Sequence, residues 1–167
     1  KVEDAIRTEM KNYNLTVTAR EDKNGTIAGS DIDMEPVFQG EIEKLLEEQN
    51  GFAWLILMFQ KQEFELAKVV SYDEQKLDEA VRNLPCMKDQ RTPVDATYSD
   101  YTRENGYALV PADYGTQVDT AKVRKAVSDA VLVLDETVDL EQSGCYLEPA
   151  IGDDDKDLLA LIDALNP

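Results

Sequence analysis

The stretch YALVPADYGTQVDTAKVRKAV, Tyr107 to Val127, holds the pattern on which the fold class turns. YALVP reads as a strand, and Asp119 is well placed as a helix N-cap, because a short carboxylate can accept from the amides of the first turn. Beyond it Val123, Ala126, Val127, Ala130 and Val131 recur at the three-and-four spacing of one helix face. An earlier stretch has the same order. FELAKVV (Phe64 to Val70) reads as a strand, Ser71-Tyr72-Asp73-Glu74 as a capping box, and Leu77, Ala80, Val81 and Leu84 as a helical stripe that Pro85 stops. Setting Asp73 on Asp119 also sets Lys76 on Lys122, Leu77 on Val123, Ala80 on Ala126 and Val81 on Val127. This is either a repeated strand-helix unit or two amphipathic helices that match because their pattern is general.

Working outward, Val2, Ala5, Ile6 and Met10 show helical spacing from the first residues, as expected of a chain cut from a longer one. LTVTARE (Leu15 to Glu21) alternates apolar and polar residues and meets DKNG, whose Asn24-Gly25 pair suits the positive φ angles of a tight turn; GTIAG is the second arm of a hairpin. EIEKLLEEQN (Glu41 to Asn50) reads as a short amphipathic helix ended by Asn50-Gly51. Residues 87–106 are polar and turn-rich, a loop with one short strand. TVDL is a strand, and a last helix follows GDDDKD with Leu158, Leu159, Ile162 and Leu165 toward a core. Strands and helices are interspersed, and hairpins outnumber crossovers. The expectation is an α+β fold of antiparallel strands with packed amphipathic helices, divided into an N-terminal subdomain over 1–60 and a second module over 61–167.

The 167 residues carry 35 acidic and 17 basic side chains, a net charge of −18. Nucleic acid and anionic membrane surfaces both demand clustered Lys and Arg, so neither is expected as a partner. The longest apolar run, FAWLILMF (Phe52 to Phe59), is less than half of the roughly 20 residues that span a bilayer and is expected in the core. A hydrophobic content of 43% is that of an ordinary globular chain.

SGCYLEP (Ser143 to Pro149) poses a chemical choice. A catalytic thiolate at Cys145 needs a base or a cation, yet the chain has no histidine, and the neighbouring Glu141 and Glu148 are expected to raise the thiol pKa. The one other cysteine, Cys86 in LPCM, also sits at an element end. With no histidine to complete a zinc site, one structural disulfide between Cys86 and Cys145 fits better than a metal, two buried thiols being the alternative. Closing that loop is worth about 4 kcal/mol in the chain-entropy model. No cofactor is expected. The acids of DIDMEP (Asp31, Asp33, Glu35) lack the glycine and terminal glutamate of an EF-hand loop, and those of GDDDKD (Asp153, Asp154, Asp155, Asp157) suit a helix N-terminus. Close carboxylate pairs of the kind glycoside hydrolysis uses are inevitable among so many acids and carry no information. Asn14-Leu15-Thr16 and Asn24-Gly25-Thr26 match the glycosylation acceptor pattern, which chance often produces. Trp54, Tyr107 and Tyr114 are candidates for stacking on sugar, Trp54 being better placed in the core.

PVDA (Pro93 to Ala96), NGYALVP (Asn105 to Pro111) and YGTQVDTAKVRKAV (Tyr114 to Val127) together resemble a peptidoglycan-binding module. That module belongs to the extracytoplasmic regions of Gram-positive L,D-transpeptidases and of vancomycin-resistance accessory proteins. The resemblance is carried by Pro93, Asp95, Ala96, Val110, Pro111, Gly115, Val118 and Asp119, and the flanks GSDIDM, LLEEQNGFAW, VVSYDEQKLDEAV and SGCYLEP are similar to those of the enzymes, where cysteines at the LPC and SGCY positions recur as a pair. The enzymes' catalytic domain follows this region, with a histidine and a Ser-x-Gly-Cys motif; Ser143-Gly144-Cys145 is one residue short of it. The resemblance therefore implies a non-catalytic segment that binds peptidoglycan or positions substrate, outside the cytoplasm, anchored through an upstream segment, with its own C-terminal catalytic domain and the wall as partners. A spacer that holds the catalytic domain off the membrane and an autonomous cysteine enzyme acting on wall peptides are the competing readings.

Overall fold

The computed structural model describes residues 2–37 and 70–166. The helix expected over Glu41–Asn50, the apolar run with Trp54 and most of FELAKVV lie outside the described residues.

The chain opens with helix α1 (Val2–Asn12) and a hairpin of β1 (Asn14–Thr18) and β2 (Gly25–Ala28). Strand β3 (Glu35–Pro36) pairs antiparallel with β4 (Val70–Ser71), which leads into α2 (Glu74–Asn83). A second hairpin, β5 (Thr97–Tyr98) with β6 (Leu109–Val110), precedes α3 (Thr120–Leu132), β7 (Thr137–Asp139) and α4 (Lys156–Leu165). The fold is α+β. Its main sheet has the order β2-β1-β7, antiparallel between β1 and β2 and parallel between β1 and β7. No local hydrophobic pattern announces that parallel pairing, because the partners lie more than a hundred residues apart.

The hairpin turn is built differently from the expectation. Positive φ falls on Glu21 (57°) and Asp22 (54°), not on Asn24 or Gly25. Asn24 instead accepts the Ala19 amide at 2.8 Å with its side-chain oxygen. A Cβ on Gly25 would stand 2.7 Å from Leu84 Cδ2 and 2.9 Å from Pro85 Cδ, so this glycine serves a close approach to the turn after α2.

The two helical units agree in cap and helix. Asp73 Oδ1 accepts from Gln75 and Lys76 at 2.8 and 3.0 Å, and Asp119 Oδ1 from Ala121 and Lys122 at 2.9 and 3.2 Å. Leu77 and Val81 are buried below the first cap, Val123 and Val127 below the second. Ser71 is not the cap; its hydroxyl meets the Glu35 carbonyl within β3–β4. The strands set the units apart: β4 ends two residues before its cap, whereas β6 ends nine before Asp119. Helices α2 and α3 pack together, with Arg124 bridging Glu74 and Asp78 and Tyr72 Oη 2.7 Å from Ser128 Oγ.

One large core joins Ile6 and Met10 of α1, Leu15 and Val17 of β1, Val70, the stripes of α2 and α3, Leu140, Cys145 and Tyr146. The described N-terminal residues thus share a sheet and a core with the second half, and the 60/61 boundary lies outside the described residues. A small second core of Ala96, Leu158 and Ile162, flanked by Leu109 and Ala112, holds α4 against the β5–β6 hairpin. Leu159 and Leu165, expected to face inward, remain partly exposed: a hairpin of two-residue strands is too narrow to cover more than one strip of α4.

Candidate functional site

The residues that carry the resemblance build the frame. Asp95 Oδ1 accepts the amides of Ala150 and Ile151 at 2.6 and 3.2 Å, while the Ala96 amide donates to the Ile151 carbonyl at 2.9 Å. Gly115 has φ +59°, and a Cβ there would lie 2.3 Å from the Arg91 carbonyl oxygen. Val118 is buried and bridges to Tyr146, and the Asp119 amide donates to the Cys145 carbonyl at 2.8 Å. These positions fasten loop to loop, which accounts for their spacing without a ligand.

Cys145 lies in the main core with no exposed surface, and its thiol faces the Ser143 carbonyl at 3.9 Å. Desolvation holds its pKa above the ordinary thiol value, with Lys122 pulling down and Asp119 and Cys86 pushing up. Glu141 and Glu148, expected to act on the thiol, are turned to Arg20 instead. Cys86 belongs to the same core cluster, and its thiol is likewise raised by burial. Both are thiols in this structure. Neither environment produces a thiolate at neutral pH.

Arg20 gathers partners from three distant segments. Its Nε and Nη2 grip both oxygens of Glu141 at 2.5 and 2.6 Å, Nη1 reaches the carbonyls of Tyr114 and Gly115, and the guanidinium lies 4.1 Å from the Tyr146 ring centre. Such a fork is geometrically fixed, and it pulls the Glu141 carboxyl below its ordinary range.

The acidic clusters have structural partners. Asp31 accepts the Ala28 amide, Asp33 pairs with Lys76 at 2.5 Å, and Glu35 pairs with Arg7 at 3.8 Å. Asp153 accepts the Ala112 amide and Asp155 caps α4 at the Leu158 amide. Among the described residues no group of three or more acids or cysteines converges as a metal site.

Exposed chemistry gathers at the second hairpin. Tyr107 is half-buried, with Tyr98 edge-on at 5.9 Å and Tyr101 tilted at 5.4 Å between ring centres. Tyr98 and Tyr101 are 44% and 58% exposed, a high value for large rings. The backbone of Tyr107, whose ring both of them touch, is held specifically. Asn166, just past α4, accepts the Tyr107 amide and donates to its carbonyl, both at 2.8 Å, in imitation of a strand partner. Gly106, at φ +65°, leaves room for that amide, since a Cβ would stand 2.2 Å from Asn166 Oδ1. Ser99 closes the loop from the other side through Ala108. Of the predicted stacking residues, Tyr107 enters this cluster, Tyr114 lies apart beside Gly152, and Trp54 lies outside the described residues. Tyr98 and Tyr101 were hidden in a segment read as polar loop; the available signal was the tyrosine density of YSDYTRENGY itself.

Comparison with family models, curated proteins and solved structures gives no match. What the described residues define is an acidic α+β protein with a tyrosine cluster on its second hairpin.

Proposed function

We propose that this chain is a non-catalytic peptidoglycan-binding or substrate-positioning segment of an L,D-transpeptidase, working outside the cytoplasm. Wall glycan and the enzyme's own C-terminal catalytic domain are then its partners. The observation that carries the reading is the tyrosine cluster: three rings on one hairpin offer apolar faces and hydroxyls to a sugar chain, a partner that does not need long-range attraction. At −18 the surface contributes none toward an anionic wall. The buried, un-ionised Cys145 favours binding over an autonomous cysteine enzyme. The same reading includes a bridge between Cys86 and Cys145, which share one core.

Co-sedimentation with purified sacculi tests it. Wild-type protein should pellet above an acidic control protein, and Tyr98→Ala with Tyr101→Ala should return it to the control level. No pelleting of the wild type overturns the binding reading and leaves the spacer.

A further inference from the structure

The outer face of α3 carries a second feature that no part of the glycan reading uses. Between α3 and the β7 side of the molecule lies an open groove of about 620 Å³. Its apolar lining comes from Ala126, Ala130, Val133 and Val138. Its charges are sorted by position. Lys122 and Lys125 come from the first two turns of α3; Asp129 comes from its third turn and Asp135 from the segment just past its end. Two contacts fix this polarity. The Cys145 carbonyl accepts the Asp119 amide, which seats the Ser143–Gly144 turn at the lysine end. The Asp135 amide returns to the Ala130 carbonyl through Leu134 at φ +58°, and its own carbonyl accepts the Tyr13 hydroxyl, which seats Asp135 at the other end.

Lys125 and Asp129 pair with each other at 2.5 Å. Lys122 and Asp135 both line the groove and form no ion pair among the described residues; the charge of Lys122 otherwise acts on Cys145 and that of Asp135 on the Tyr13 hydroxyl. The helix dipole has the same sense, positive toward Lys122 and negative toward Asp135. Asp119 caps that first turn and does not line the groove. Folded back at the level of the last turn, Asp135 stands about nine helical residues from Lys122, or roughly 14 Å along the axis at about 1.5 Å per residue. An extended chain of four residues covers the same distance at about 3.3–3.6 Å each. The volume is that of a small-ligand site.

We infer that this groove binds a short unblocked peptide of about four residues, with its free carboxylate at Lys122 and its free amine at Asp135. Small side chains suit the alanine lining. Gly144 keeps the carboxylate end open, since nothing lies within 4 Å of where its Cβ would be.

Tetra-alanine, its N-acetyl form, its C-terminal amide and the doubly blocked peptide are the probes, followed by amide chemical shifts on the intact chain. Tetra-alanine should shift Ala126, Ala130 and Gly144, and each single block should weaken binding at least tenfold. Lys122→Glu should abolish discrimination against the C-terminal amide alone, and Asp135→Lys discrimination against the acetyl form alone; both positions are exposed, so the fold tolerates either. Equal binding of free and doubly blocked peptide, shifts elsewhere, or none at millimolar peptide overturns the proposal. Sacculus binding through the tyrosines is untouched by either result.

Discussion

Arg20 joins the first hairpin to three segments more than ninety residues away, and its worth is set by geometry more than by charge. Its partners Glu141 and Glu148 are half-exposed, so solvent screens much of the attraction, but the fork and the packing on Tyr146 are lost together on truncation. Arg20→Ala should cost about 2 kcal/mol in urea unfolding, and Arg20→Lys most of that, because an ammonium cannot bond both oxygens of Glu141. The pH dependence has a defined sign. Glu141 has a folded pKa below its ordinary 4.5, so its contribution is full above that value and is lost as pH falls through the lower folded one. In Arg20→Ala the acid limb of the stability profile below about pH 4.5 should therefore flatten. At Gly115 the backbone decides: left-handed φ costs another residue about 1–3 kcal/mol, and the Arg91 carbonyl must also move, so Gly115→Ala should lose more than about 3 kcal/mol. For the cysteines, native protein should take up no iodoacetamide at neutral pH, since both sulfurs are buried. Denatured protein should take it up only after reduction; two adducts without reductant would refute the bridge.

Among the elements, α2 and α3 are the most legible from sequence, because an aspartate cap and a stripe at helical spacing are local chemistry. Their matched geometry makes a paired prediction. Asp73→Ala and Asp119→Ala should each lower thermal stability by about 1 kcal/mol, while Leu77→Ala, beneath the first cap, should cost about 3 kcal/mol through the cavity it leaves. The β5–β6 hairpin was the least legible element. Its strands have two residues each, below the length at which alternation can be read, and Asn166 supplies from a distant helix end the hydrogen bonds that a strand neighbour would. Asn166→Ala should accordingly raise amide exchange at Tyr107, while Ala108, held by Ser99, and α3 stay protected.

At the scale of the whole molecule, −18 spread over 167 residues makes the folded state repel itself. The ion pairs offset this only in part, being mostly exposed. Raising NaCl from 10 to 500 mM shortens the screening length from about 30 Å to under 8 Å, so the melting temperature should climb by a few degrees; a fall would mean that the surface pairs outweigh the repulsion. Charge balance follows from composition alone, the two capped helices and the first hairpin depend on residues within a few positions of one another, and the α+β class follows from the order of such elements, so all were legible in the chain. The parallel β1–β7 pairing, the shared core of the two halves, the turn of Glu141 and Glu148 away from Cys145 toward Arg20, and the meeting of Tyr98, Tyr101 and Tyr107 belong to tertiary structure alone. Their energies come from desolvation and from contacts between distant segments, and neither quantity has a value until the chain has closed on itself.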